Sequence, residues 1–282
     1  MKATLGDGSQ LEVSVAGAGP AVLLPVGTAV AEGAAAEAVR AWGGDPDAGH
    51  VLAAALVEAG FRVVAADYEG HLARQPRAGT LTADAVAADL LAVADAAGAE
   101  RFAYYGYSWL GLAGLQLAAR TDRLSGLVVG GFPPLGGPYG EMLAVTHAAH
   151  AAAIAYRDNP PATPAAPVEP GDWDNAEMTQ PPELTGQYVT LYESLRGYDE
   201  RAALERITCP RLAFAGEEDT VSYGPRWGGV DVVIGPALRE HEKELTALGW
   251  DVRLIPGAGH LAAMSSGAVL PILVPWLRTV RN

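Results

Sequence analysis

Tyr104-Tyr105-Gly106-Tyr107-Ser108-Trp109-Leu110-Gly111 joins an apolar run, Arg101–Tyr105, to a helical run that extends to Arg120. A strand-to-helix junction of this kind places Ser108 on a sharp bend. Its hydroxyl then projects above a sheet, and the helix N-terminus behind it favours developing negative charge. Gly106, two residues earlier, gives such a bend room. The same serine also reads as a helix N-cap, a position where serine is common. Taken alone, the octapeptide leaves both readings open.

The segments on either side repeat the alternation. A helical run from Val51 to Ala59, closed by Gly60, leads into the strand Phe61–Ala66, and a helix over Ala83–Ala97 precedes the strand at Arg101. The strand Leu124–Val129 follows, and the pattern resumes later with the strand Arg211–Ala215, a helix over Pro236–Leu248, the strand Asp251–Ile255 and a final helix to Arg278. Strands and helices alternating at this spacing imply βαβ units in an α/β fold. The expectation is a mostly parallel sheet of about eight strands, with right-handed crossovers putting helices on both faces. Near the N-terminus, Gln10–Ala16 alternates, and Gly17-Ala18-Gly19-Pro20 breaks the chain before Ala21–Val26. Because this glycine pair precedes a strand and not a helix, it reads as a hairpin turn and not as a dinucleotide loop.

Between Phe132 and Tyr198 the rhythm changes. A helix over Tyr139–Arg157 gives way to prolines from Pro160 to Pro170, and Pro181-Pro182 precedes a helical run with Tyr188, Leu191, Tyr192 and Leu195 at three-to-four spacing. This composition shift predicts a helical cap or lid insert over residues 133–198, set into a core formed by residues 1–132 and 199–282. No tandem repeat or heptad run interrupts the picture.

Composition bounds the function. The chain has 282 residues, half of them hydrophobic and 18% charged, enough for one large α/β domain or a domain carrying an insert. A net charge of −14 argues against nucleic acid and against anionic membrane surfaces. Cys209 is the single cysteine, which rules out an intrachain disulfide and a multi-cysteine zinc site. Lying in Ile207-Thr208-Cys209-Pro210, ahead of an apolar strand, it reads as a small core residue. No apolar stretch reaches the ~18–20 residues of a membrane span, and Met1–Asp7 has no signal-like run. The expectation is a cytoplasmic protein acting on a small molecule, with its oligomeric state open.

The turn at Ser108 resembles the nucleophile elbow, G-x-S-x-G, of the α/β-hydrolase superfamily. One position departs: Leu110 stands where the family has glycine, and the glycine comes one residue later at Gly111. The Ser108-Trp109 pair is similar to that of proline iminopeptidase-like members, although the chain lacks their H-G-G-P-G loop. Phe214-Ala215-Gly216-Glu217-Glu218-Asp219 resembles the superfamily's strand-end G-x-x-D, which makes Asp219, ahead of Glu217 or Glu218, the acid that orients the histidine. Pro256-Gly257-Ala258-Gly259-His260 is similar to the histidine loop. The three occur in the superfamily's order Ser, Asp, His.

Of the remaining histidines, His71 falls in Asp67-Tyr68-Glu69-Gly70-His71, which resembles a structural turn. His147 and His150 share a helix face that reads as solvated, with a pocket lining or a metal contact as the alternatives. His50 and His241 read as surface residues. The resemblance places the oxyanion donors at the N–H of Trp109 and of Thr28, with Val26 in place of the family's histidine and Gly27 kept. The stretch after Thr28 is longer than in compact members. It either remodels the oxyanion side of the pocket or forms a surface excursion.

What the resemblance implies is a serine hydrolase that cleaves an ester, thioester or related acyl bond of a small, largely apolar substrate through an acyl-Ser108 intermediate, with no metal or organic cofactor. A serine at the elbow counts against epoxide hydrolases and haloalkane dehalogenases, which use aspartate. Two alternatives stand. One is an acyltransferase or cyclase with the same triad, its apolar lid drawn from Trp173, Tyr188, Tyr192 and Tyr198. The other is a non-catalytic ligand-binding homologue, to which Leu110 and the absent histidine before Gly27 point.

Overall fold

The apolar runs of the sequence become the strands of one sheet in the computed structural model, which describes residues 1–161 and 178–280. The first half of the chain forms β1 (Lys2–Thr4), β2 (Gln10–Glu12), β3 (Ser14–Ala16), β4 (Ala21–Leu24), α1 (Gly33–Ala41), α2 (Ala48–Glu58), β5 (Arg62–Ala65), α3 (Tyr68–Arg74), α4 (Ala83–Ala96), β6 (Phe102–Tyr107), α5 (Trp109–Ala118) and β7 (Leu124–Gly130). Two helices follow, α6 (Tyr139–Asp158) and α7 (Pro182–Glu193). The remainder forms α8 (Glu200–Leu204), β8 (Arg211–Gly216), β9 (Thr220–Tyr223), β10 (Val230–Val233), α9 (Gly235–Glu240), α10 (Glu242–Ala247), β11 (Trp250–Ile255), α11 (His260–Met264) and α12 (Ser266–Thr279). Trp173 and the prolines from 164 to 170 lie outside the described residues.

The sheet has seven strands in the order β11-β8-β7-β6-β4-β5-β3, all parallel except β3, which runs antiparallel to β5. It falls short of eight because two pairs fold aside: β1 with β2, and β9 with β10, each make a separate antiparallel ladder. The turn at Gly17–Pro20 does not make a hairpin. β5 lies between β3 and β4, and the turn crosses its start so closely that a Cβ on Gly17 would stand 2.4 Å from the Phe61 carbonyl oxygen. The backbone there has φ +76°, a conformation that favours glycine. The helix expected over Pro236–Leu248 breaks at His241 into α9 and α10, and the final helix breaks at Ser265 into α11 and α12.

Both faces of the sheet are covered, which is why its central strands read as unbroken apolar runs. Every residue of β6 is buried, and the side chains alternate between two cores. Phe102 and Tyr104 join Leu90 and Val93 of α4 and Leu112 and Leu115 of α5. Ala103, Tyr105 and Tyr107 join Leu52 and Leu56 of α2 and Leu273 and Trp276 of α12. A charged group ties the core together away from the site: the fully buried Asp89 carboxylate accepts from the Tyr68 hydroxyl at 2.8 Å and the Gly6 N–H at 3.0 Å, and pairs with Arg77. Burial and the nearby Asp89 charge raise the Tyr68 hydroxyl's pKa, so it stays a donor. The Arg77 N–H in turn donates to Gln187 Oε1 at 3.0 Å, which ties α7 to the core.

α6 and α7 pack on each other, and α6 also rests on β10. Two histidines link the pair: His147 Nε2 lies 2.9 Å from Glu193 Oε1, and His150 Nδ1 lies 3.0 Å from Thr185 Oγ1. Among the described residues no helix is long and apolar enough to cross a membrane.

Candidate active site

Parallel strands deliver their C-terminal ends to one edge of the sheet, so loops far apart in sequence meet there. Ser108 follows β6, Asp219 follows β8 and His260 follows β11. His260 Nε2 lies 3.1 Å from Ser108 Oγ, and His260 Nδ1 lies 2.9 and 3.0 Å from the two Asp219 oxygens. Asp219 is fully buried and His260 partly so. The structure therefore joins these three side chains in one hydrogen-bonded chain. Glu217 is drawn off to Arg239, and only Asp219 reaches the imidazole. Its loop is fixed by the main chain, since the Asp219 carbonyl accepts from the N–H groups of Ile234 and Gly235.

Ser108 has φ +58° and ψ −128°, and it is the only non-glycine residue with positive φ among the described residues. The strain of this bend, about 1–3 kcal/mol for such a residue, is held by the Ser108 N–H bond to the Gly130 carbonyl at 2.8 Å and by the first bonds of α5. Gly106 is obligatory for steric reasons: a Cβ there would stand 2.2 Å from the Leu110 carbonyl oxygen. Leu110 itself does not open the turn. Its side chain is buried in the core, and its carbonyl accepts from the Tyr104 hydroxyl at 2.7 Å. The close approach to β7 passes to Gly111, where a Cβ would stand 2.8 Å from the Gly130 carbonyl oxygen.

Tyr107, inside the elbow, carries no sequence signal of a role. The structure sets its ring centroid 5.2 Å from that of His260, and its hydroxyl donates to the His260 carbonyl at 3.0 Å. Burial and the Asp219 charge raise the Tyr107 pKa, so the hydroxyl stays a donor. Gly130 and Gly131 make room for the ring, since a Cβ on either would stand within 2.5 Å of it.

The three side chains open onto a cavity of about 1020 Å³. Its walls come from segments that the sequence does not relate. Trp42 and Gly49 come from the stretch after Thr28, Met142 and Thr146 from α6, Tyr188 and Tyr192 from α7, and Tyr223 from β9. The long stretch after Thr28 thus gives Trp42 to the pocket wall, while most of α1 lies exposed on the surface. Val26 and Trp109 line the cavity. Thr28, the other expected donor, is half-buried and not among the lining residues, and its carbonyl accepts from His50 Nδ1 at 3.1 Å.

The other singled-out residues have structural partners. Asp67 caps α3 by accepting from the Gly70 N–H at 3.0 Å, and a Cβ on Gly70 would strike that carboxylate. His71 is buried, 2.9 Å from Ser9 Oγ, and burial lowers its pKa. Burial pushes the Cys209 thiol up to about 11, the opposite of what a thiolate nucleophile needs. Among the described residues no group of three or more His, Cys, Asp or Glu side chains could hold a metal ion.

A family model described as "alpha/beta hydrolase fold" matches residues 39–137, a segment that contains the elbow. The chain is similar in structure to a thermophilic esterase from Thermogutta terrifontis, with 20% identity, 100% and 99% of the two chains covered and a TM-score of 0.64. It is similar also to the enol-lactonase from Burkholderia xenovorans LB400, with 20% identity, 99% and 100% covered and a TM-score of 0.56. A third likeness is to Epoxide Hydrolase A from Mycobacterium thermoresistibile, with 19% identity, 99% and 98% covered and a TM-score of 0.57. At these identities the likeness shows the fold. No curated protein matches the sequence.

Proposed function

We propose that this chain, a member of the α/β-hydrolase superfamily, is a serine hydrolase that cleaves an ester, thioester or related acyl bond of a small substrate. The observation that carries the reading is the unbroken chain Ser108–His260–Asp219 at the floor of a cavity with largely apolar and aromatic walls. In this reading His260 Nε2 takes the proton of Ser108 Oγ as the oxygen attacks the carbonyl carbon. Asp219 holds the Nδ1–H tautomer and stabilises the imidazolium. The tetrahedral oxyanion rests against the N–H of Trp109, the first residue of α5, and against the loop of residues 26–28, with Thr28 the sequence's candidate donor. The imidazolium protonates the leaving group, giving acyl-Ser108. A water activated by the same histidine then releases the acid and restores the serine.

Residues 133–198 act as a cap in this reading. Met142 and Thr146 of α6 and Tyr188 and Tyr192 of α7 line the cavity, and their role in this reading is to exclude bulk water and select the substrate's shape. The decisive experiment is covalent labelling by a fluorophosphonate probe. The expected adduct sits on Ser108 and is lost in Ser108→Ala. Folded protein that takes up no label overturns the proposal.

A further inference from the structure

Glu69 lies in the first turn of α3, at the C-terminal end of β5, and lines the same cavity as Ser108. Its carboxylate accepts from Trp109 Nε1 at 3.1 Å, so it is held beside the residue that follows the nucleophile. Among the described residues no Lys, Arg or His forms an ion pair with it. Of the basic side chains in its own helix, His71 is bonded to Ser9 and Arg74 pairs with Asp67. The side chain is exposed and lines the cavity. Burial raises its pKa. The Trp109 bond opposes that shift and the Asp67 charge adds to it.

Aromatic rings stand around this carboxylate. The Trp109 ring meets Tyr188 edge-on at 5.5 Å and lies 6.1 Å from Tyr68, and Tyr188 faces the cavity from α7. A ligand that fills the cavity strips water from this carboxylate and leaves its charge with one N–H partner, which is costly. A neutral ligand leaves that cost in place. A cation removes it and gains contact with the faces of Trp109 and Tyr188.

We infer that Glu69, Trp109 and Tyr188 form a subsite for a protonated amine or quaternary ammonium group on the substrate. The inference rests on the serine-hydrolase reading for its setting, because it makes Glu69 a specificity-determining residue of that pocket. It also disfavours substrates that carry a second carboxylate.

Two arms test it separately. In the first, choline and its uncharged isostere 3,3-dimethylbutan-1-ol are titrated into the wild-type protein by calorimetry, which needs no turnover. Choline is expected to bind at least about tenfold more tightly. Equal affinity overturns the subsite, and no variant is needed to see it. In the second, kcat/KM is compared for acetylcholine and 3,3-dimethylbutyl acetate in wild type and Glu69→Gln. The wild-type preference for the cation is expected to fall by about tenfold or more in the variant, whatever happens to the separate rates. A ratio unchanged in folded Glu69→Gln overturns the subsite. Charge-selective binding with neither ester hydrolysed supports the subsite and counts against the hydrolase reading. Hydrolysis of both esters with a wild-type ratio near one does the reverse.

Discussion

The floor and the roof of the cavity are built on different principles. The floor is made by the ends of three parallel strands, and Ser108, Asp219 and His260 each sit in a short loop whose backbone is held by hydrogen bonds. Ser108 is held by the Gly130 carbonyl, Asp219 by Ile234 and Gly235, and His260 by the Tyr107 hydroxyl. The roof is assembled from α6, α7 and Trp42, with α6 packed on α7 and on β10. Local backbone geometry leaves signatures in a sequence, because only a few residue types fit a strained turn. Side-chain packing leaves weaker ones, because many apolar residues fill a given space.

Four substitutions test this contrast. The largest effect belongs to the floor. Asp219→Asn is expected to lower kcat by about 10⁴-fold through loss of the correct imidazole tautomer, with ligand binding in the cavity retained. Comparable losses of kcat and binding would show that floor and roof are not separable. Next comes the join between them. Asp89→Ala leaves Arg77 buried with its closest partner gone, beside the Gln187 link to α7. Urea denaturation should show a loss of about 3–5 kcal/mol.

A roof substitution acts on selectivity. Trp42→Ala is expected to lower kcat/KM for long-chain esters about tenfold relative to acetate esters, since it removes apolar wall and no reacting group. A uniform fall across chain lengths would place Trp42 in the chemistry. The smallest effect lies on the outer surface of the roof, where His147 meets Glu193. Bonds from Arg196 and His147 hold the Glu193 carboxyl down to about 2. This linkage is therefore complete above its ordinary value of 4.5 and fades only as pH falls towards 2. His147→Ala should shift the melting temperature by no more than about 3 °C, because exposed pairs contribute little.

The residues alone carry the alternation of strands and helices, and with it the parallel sheet and the edge where its loops gather. They also put Ser108, Asp219 and His260 at strand ends in one order, with Gly106 and Gly216 at positions where a Cβ would strike neighbouring backbone. The tertiary structure decided what no local pattern records. It moved the close approach from residue 110 to Gly111, placed β5 between β3 and β4, and set Tyr107 beneath the imidazole. It also carried Trp42 from a stretch of unassigned course into the pocket wall, and turned Glu69 of an ordinary-looking turn towards the cavity. The physical reason is common to all of these. A turn is specified by the φ and ψ its own residues can adopt, whereas a wall is specified by which distant surfaces fill one volume together.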